Sequence, residues 1–471
     1  MAMIARFGRR SAVRGHDLAA SAILVAIVLL GYVTTAAPSI TWSRGSADSG
    51  DITAAVATAG IPHPPGYPLF VTVGYALTRI VPAEPARIVT MLDAALIATA
   101  LGIVCWAALQ TGARRRPAAI FAAVGATLAV GAGSLLWNLA TFPNAHAPNV
   151  AFAALAIATA MTDPTGPRTA RRDLGLGLLL GAAMSHHLTL AVLVFILPVP
   201  RRGLVWVAGA IAGLSPWLLL PILAARVPAH AWGDVATFGG FLDHIVARQY
   251  HEYFASQGIT QVLSRAVVGA RSLVVDGLGP IGSVLVAIAV ASAGRSTQML
   301  ALRWAAMTLT ILAFFSLYAA RDVGSYVSIS VITAVPLIAA GLSAVADRSN
   351  GRIVAVVVGG LIAAQVAMTF PVVDRRRDTE ARDFARVALS SAPDSAILVT
   401  DNDARTFALW YGQVGLGLRP DITIVDRSLW PLAWYRRRVL PEYRGQVADA
   451  AAVELQTGRR TLIVDDVGIA R

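Results

Sequence analysis

The strongest constraint on this chain is the recurrence of apolar runs long enough to cross a lipid bilayer, about 20 residues of helix each. They fall at 18 to 38, 88 to 111, 117 to 141, 203 to 225, 267 to 294, 299 to 320, 327 to 346 and 353 to 370. The run 145 to 161 is short, but it is bounded by a proline-rich loop and an arginine cluster and reads as one span. The run 174 to 200 is too long for one span and is interrupted by His186-His187, so it reads as two short spans or a broken helix. About eleven spans result. With 56% hydrophobic and 14% charged residues and a mean hydropathy of +0.64, the chain is read as an α-helical polytopic membrane protein.

Every basic side chain that is not histidine is arginine, and the arginines sit in short clusters between apolar runs. The net charge of +12 therefore reads as a topology signal and not as a nucleic-acid surface. Arg6, Arg9, Arg10 and Arg14 precede the first run without a clear small-residue cleavage site, which reads as an uncleaved anchor with a cytoplasmic N-terminus. From there Arg114 to Arg116, Arg168 with Arg171-Arg172, Arg201-Arg202, Arg295 with Arg303, and Arg348 with Arg352 all fall inside, on one condition. The stretch 66 to 82 must lie along the membrane or re-enter it, which suits its proline-rich start. External segments are then 39 to 87, 142 to 148, 226 to 266, 321 to 326 and everything after 371. The single cysteine, Cys105, lies in an apolar run and reads as a small core residue.

The last hundred residues change character. Ala396 to Thr400, Asp421 to Val425 and Thr461 to Val464 have strand composition, and Arg405 to Gln413 between the first two is helical in pattern. The expectation is a polytopic membrane domain over 1 to 370 and a small external α/β domain with a mostly parallel sheet over 371 to 471.

Chemistry concentrates in the first external loop, where Asp48-Ser49-Gly50-Asp51 is followed by the stiff turn His63-Pro64-Pro65-Gly66-Tyr67-Pro68-Leu69. Acids just past a membrane span have either a catalytic use or a helix-capping one, since Ser49 and Asp51 precede the helical stretch Ile52 to Ala59. His63 either hydrogen-bonds a substrate or locks the loop with its prolines. His186 and His187 stand at a break in an apolar run, where polar groups usually face a cavity. Arg248, with Tyr250 and His251, lies in the second large external loop, and Arg321 at an external span end. Each can bind phosphate or anchor the interface. Trp232-Gly233-Asp234 reads as a turn that packs this loop, with Asp234 a weaker contact. Asp401 and Asp403 follow a strand, where α/β folds build sites, but the same residues cap helices. Asp48 and Asp51 could share a divalent cation, although no third ligand is in view.

These residues carry a resemblance. Asp48 to Asp51, the turn His63 to Leu69, Trp232 to Asp234, Arg248-Gln249-Tyr250, Asp401 to Asp403, Leu409 to Tyr411 and Arg419-Pro420-Asp421 look like a bacterial multi-pass membrane family. That family also includes the vertebrate endoplasmic-reticulum transmembrane O-mannosyltransferase acting on plexin-type domains, and it is similar in plan to the C-type (GT-C) glycosyltransferases. Its first-loop pattern is Asp-x-Gly-Glu, and this chain has Asp51 at the second acid. The resemblance implies an inner-membrane glycosyltransferase moving a sugar, with mannose one candidate, from a polyprenyl phosphate carrier to an external protein or glycan acceptor. Asp48 aligns with the family's first acid and is taken as the base, with Asp51 as alternative base or as the partner that positions it. His63, His186, His187, Arg248, Tyr250 and Arg321 are the substrate-binding candidates. A lipid or solute transporter with a midplane site at His186-His187, and an inactive binding-only relative, are the competing readings.

Overall fold

The computed structural model describes residues 15–43, 46–111, 117–162, 169–254, 256–292, 294–319, 323–443, 445–465 and 468–470. The expected clusters Arg6 to Arg14 and Arg114 to Arg116, together with Arg168 and the phosphate candidate Arg321, lie outside the described residues. The N-terminal two thirds are helical. Helix α1 (Gly15–Thr35) leads into two short helices, α2 (Ser49–Thr58) and α3 (Pro68–Ile80). Then follow α4 (Pro85–Thr111), α5 (Pro117–Gly131), α6 (Ser134–Leu139), α7 (Ala147–Thr162) and α8 (Ala170–His186). A 3-10 segment, Leu188–Phe195, precedes α9 (Gly203–Gly213) and α10 (Leu219–Ala224). The second loop contains α11 (Phe238–Ile245) and leads to α12 (Ile259–Arg271) and α13 (Gly279–Ser292). The membrane part closes with α14 (Arg295–Leu317), α15 (Val323–Arg348) and α16 (Gly351–Val373).

Six helical stretches among the described residues are long and apolar enough to span a bilayer, and a seventh results if 259–277 and 279–292, bent by 95°, are one span. About eleven were expected from hydropathy. The difference arises because an apolar run does not report where its helix breaks. The run 117 to 141 divides between α5 and α6, and 267 to 294 bends at Leu278. The run 174 to 200 breaks where expected, because His187 is extended (φ −152°, ψ 127°) and its ring accepts the Thr189 backbone N–H. Helix α3, at 13 residues, is about 20 Å long, short of the bilayer's apolar thickness. It buries Phe70 and Val71 while exposing Leu69, Val73 and Ile80, as a helix lying along an interface would.

Helix α15 is the centre of the bundle, with 78% of its apolar window buried, whereas α16 has 6% buried. Around α15 pack residues of α4, α5, α7, α13 and α14. Helices α8 and α9 approach until backbones touch. Gly177 and Gly181 on one face Gly209 and Gly213 on the other, and a Cβ at any of the four would run into the partner's backbone. This small-x-x-x-small pairing supplies the close van der Waals packing that drives helix association in lipid.

The tail is a four-stranded sheet in the order β2-β1-β3-β4. Strands β1 (Ile397–Thr400), β2 (Thr423–Asp426) and β3 (Thr461–Asp465) are parallel, and β4 (Gly468–Ala470) is antiparallel to β3. Helix α17 (Glu380–Ser391) precedes β1, α18 (Asp403–Val414) joins β1 to β2, and α19 (Ala433–Val439) and α20 (Ala450–Thr457) lie between β2 and β3. The first two strands follow the apolar patterning of the sequence to within two residues.

Gly181→Val should destabilise the α8–α9 hairpin by about 1–3 kcal/mol through overpacking. Thermal unfolding in detergent measures this, and Gly175→Ala, on the same helix with open space at its Cβ, is the neutral control.

Candidate active site

The site begins with one buried carboxylate. Asp51, on the first turn of α2, is 0% exposed, and each of its oxygens accepts two hydrogen bonds. Oδ2 receives the backbone N–H of His63 at 2.9 Å and His63 Nδ1 at 2.6 Å. Oδ1 receives His230 Nε2 at 2.6 Å and Trp232 Nε1 at 2.7 Å. Burial alone would raise its pKa, but the hydrogen bonds from His230 and His63 outweigh it and hold the carboxyl well below the usual range. Three separated segments are thereby tied together. His230 and Trp232 reach α2 because residues 60–62 and 230–232 form a short parallel bridge, in which Ile61 N–H donates to the His230 carbonyl and Trp232 N–H to that of Ile61.

The proline turn holds His63 against this carboxylate. Gly66 has φ +90°, and a Cβ there would collide with Leu220 and with the ring of His244, so the turn needs glycine on both steric grounds. Gly233, at φ +72°, abuts the other side of the same ring. His244 is thus a wedge between the two loops, and burial, then the His63 charge, pushes its pKa down to about 3. His63 is the opposite case. Burial lowers its pKa, but the Asp48 charge and the Asp51 hydrogen bond and charge outweigh this and push it up to about 9. An imidazolium therefore sits beside Asp48, its Nε2 donating to Tyr67 Oη at 3.2 Å.

Asp48 itself is exposed at the N-cap of α2 and makes no side-chain cap bond. Tyr250 is half-buried, and burial followed by the Asp48 charge raises its phenol well above the ordinary value. From the tail, Asp403 opens α18 and belongs to the same electrostatic group, because burial, then Asp426, then Asp48 push its pKa up to about 6. The tail is held in place by direct bonds. Trp42 Nε1 donates to the Ala404 carbonyl at 2.9 Å, Tyr411 Oη donates to Glu84 at 2.8 Å, and Arg438 donates to the Ala231 carbonyl at 2.8 Å. Phe407 and Trp410 pack on Trp232, at 5.9 Å in both cases.

The other expected contacts are distributed unevenly. His186 and His187 lie behind Tyr67, with ring centroids 5.2 and 6.2 Å away. His186 is buried and its Nε2 donates to the Ala145 carbonyl at 2.8 Å, while the half-buried His187 reaches Tyr326 Oη at 3.3 Å. Arg248 does not converge on the acids: it is exposed and pairs with Asp243 at 3.2 Å. In the strand-end loop Asn402 caps α18, accepting the Arg405 N–H, and Asp401 pairs with Arg405. Sequence reasoning missed His230 and His244. The one available signal was their polarity in a loop already marked by Trp232-Gly233-Asp234. Among the described residues no three His, Cys, Asp or Glu side chains converge as a metal-ligand set.

The helical membrane bundle with its α/β tail is similar in fold to solved structures. Two structures of ArnT from Cupriavidus metallidurans share the fold. The one bound to undecaprenyl phosphate has a TM-score of 0.55 at 13% identity, over 87% of this chain and 90% of that one. The apo structure has a TM-score of 0.57 at 15% identity, over 95% and 93%. Residues 48–200 match the family model described as the protein O-mannosyl-transferase TMEM260 N-terminal domain, and 381–464 match TMEM260-associated domain 2. The chain is 23% identical to protein O-mannosyl-transferase TMEM260 of Mus musculus over 431 residues, 82% of this chain and 60% of that protein. It is 20% identical to the Dictyostelium discoideum protein of that name, over 88% of this chain and 58% of that one. The chain spans about three fifths of the length of these curated relatives. It belongs to the TMEM260-related family.

Removing Asp51 leaves His63, His230 and Trp232 without their acceptor, and Asp51→Ala should cost about 3–5 kcal/mol, read by thermal or denaturant unfolding. The His63 pKa is raised on folding, so its contribution is full below the unfolded value of about 6.5 and lost as pH rises through about 9. Wild-type melting temperature should fall across that window more steeply than that of His63→Gln.

Proposed function

We propose that the chain is a membrane glycosyltransferase that moves a sugar from a polyprenyl phosphate carrier to an external protein or glycan acceptor, mannose being the sugar suggested by its relatives' names. The observation that carries this reading is the exposed Asp48 carboxylate beside the His63 imidazolium, the latter fixed by Asp51. The acceptor hydroxyl oxygen forms a bond to the anomeric carbon on the face opposite the phosphate, and its proton passes to Asp48. The bond from that carbon to the phosphate oxygen breaks, its electron pair stays on the phosphate, and the configuration inverts. The fixed charge of His63 lowers the cost of the developing phosphate charge. Asp51 is the positioning residue, since its oxygens are already occupied by four donors. Tyr250 and His187, half-buried around Tyr67, would contact the donor, and the exposed Arg248 would attract the incoming carrier charge. The distribution of arginine supports a plasma-membrane orientation with the N-terminus cytoplasmic and the tail external.

Incubation of purified protein with a panel of radiolabelled polyprenyl phosphate sugars and membrane acceptors tests the activity. Asp48→Asn preserves size and most hydrogen bonding but removes the proton acceptor. It should slow transfer by about 100- to 10,000-fold while leaving insertion and donor binding intact, and near-normal turnover would remove Asp48 from the mechanism. In a Cys105→Ala background, single cysteines at Ala83 and Ser391 should react with an impermeant thiol reagent on intact cells, and protection of the Ala83 site would overturn the topology.

A further inference from the structure

We propose that Asp403, carried by the C-terminal α/β unit, forms with Asp48 a two-carboxylate pair that receives the proton of the acceptor hydroxyl, so that the reacting centre is assembled from both parts of the chain. This rests on the glycosyltransferase reading, in which Asp48 is the base. The geometry starts with the contact of α18 and α2. Gly50 lies against the Phe407 carbonyl with no room for a Cβ, and Trp42 donates to Ala404, the residue after Asp403. The first turns of the two helices are therefore adjacent, one led by Asp48 and the other by Asp403. Asp403 is neither the cap nor the ion-pair partner at the start of α18, although as an acid in the first turn it suits the helix dipole. The cap is Asn402, the ion pair to Arg405 is made by Asp401, and among the described residues Asp403 makes no hydrogen bond or ion pair. The residue is exposed at the protein surface, while its carboxyl is sheltered enough for burial to be the first cause of its raised pKa. At the same junction the Ser49 hydroxyl is 1% exposed and has no hydrogen-bond partner among the described residues.

The electrostatics fit a shared proton. Two carboxylates close together raise each other's proton affinity, and Asp403 is displaced in that direction. The groups facing it are Asp48 and Asp51 from α2, His63 from the proline turn and Asp426 from the end of β2, with Tyr250 of the second loop coupled to the same two α2 acids. During transfer the acceptor proton enters the pair, whose charge falls from minus two to minus one. The electron pair of the broken sugar–phosphate bond leaves on the phosphate oxygen.

The test uses the full chain in nanodiscs, with Asp403→Asn and, as a charge-matched control in the same unit, Glu454→Gln. Asp403→Asn should lower kcat/KM at least tenfold and move the acidic limb of its pH profile to lower pH, because the remaining carboxylate has lost a like-charged neighbour. Independently of activity, nitrogen-15 histidine spectra should show the His63 titration midpoint lowered by Asp403→Asn and unmoved by Glu454→Gln. Equal rates in wild type and Asp403→Asn overturn the pair, and so does a slower variant with both the acidic limb and the His63 midpoint unchanged, which marks a merely structural role. A wild-type chain that transfers no sugar from any donor overturns the glycosyltransferase reading and the proton role with it. An unmoved His63 midpoint in that case also refutes the juxtaposition.

Discussion

The whole end of the protein that carries the first loop and the tail depends on keeping one fully buried carboxylate charged. An isolated buried carboxylate is among the most expensive groups a protein can hold. Asp51 is made tolerable by four donors from two sequence-distant segments. The requirement works in both directions. Asp51 orders the His63 turn and the His230–Trp232 segment, and those segments in turn keep Asp51 ionised. His63 becomes a fixed cation at neutral pH because of this arrangement, while His244, only a loop away and buried without a comparable acid, is held neutral. Two histidines of one site thus acquire opposite charge states from their surroundings alone.

The second constraint is the close approach of α18 to α2. A glycine at position 50 lets the Phe407 carbonyl come into contact with the helix, and the aromatic rings of Phe407, Trp410 and Trp232 seal the join. Arg437 and Arg438 fasten the tail to the other loop, through Asp234 and through the carbonyls of Ala231 and Pro228. The tail is therefore seated on the segment that carries Asp48. Asp403 follows β1 and Asp426 ends β2, so both stand at the carboxyl ends of parallel strands, the end where α/β sheets place ligands.

Below this, the membrane helices act as a scaffold with deliberate interruptions. The α8 break at His187 places two histidines behind Tyr67, and Tyr326 at the outer end of α15 completes the cluster. Backbone irregularity at membrane depth is tolerated where protein covers it. Here the His187 ring itself satisfies the Thr189 N–H that the break exposes.

Local chemistry determined much of this protein in advance. Apolar runs named the class, the proline turn and the two acids marked the first loop, and short runs of β-branched and apolar residues located the strands, because each of these signals is carried by residues adjacent in the chain. The interruption at His186-His187 was legible for the same reason. Other features had no local signature. Nothing in the spacing of Asp48 and Asp51 distinguishes an exposed acid from a buried one: residues three apart at a helix start lie on neighbouring positions of one face, and only the packing around α2 leaves the N-cap Asp48 exposed and buries Asp51. Arg248 is a phosphate candidate by composition, and only the folded chain shows that it stands exposed and paired with Asp243. The bonds from His230 and Trp232 to an acid about 180 residues earlier, and the seating of Asp403 beside Asp48, exist only after the chain has closed on itself. Desolvation and long-range hydrogen bonding decide those roles, and both are properties of the packed structure.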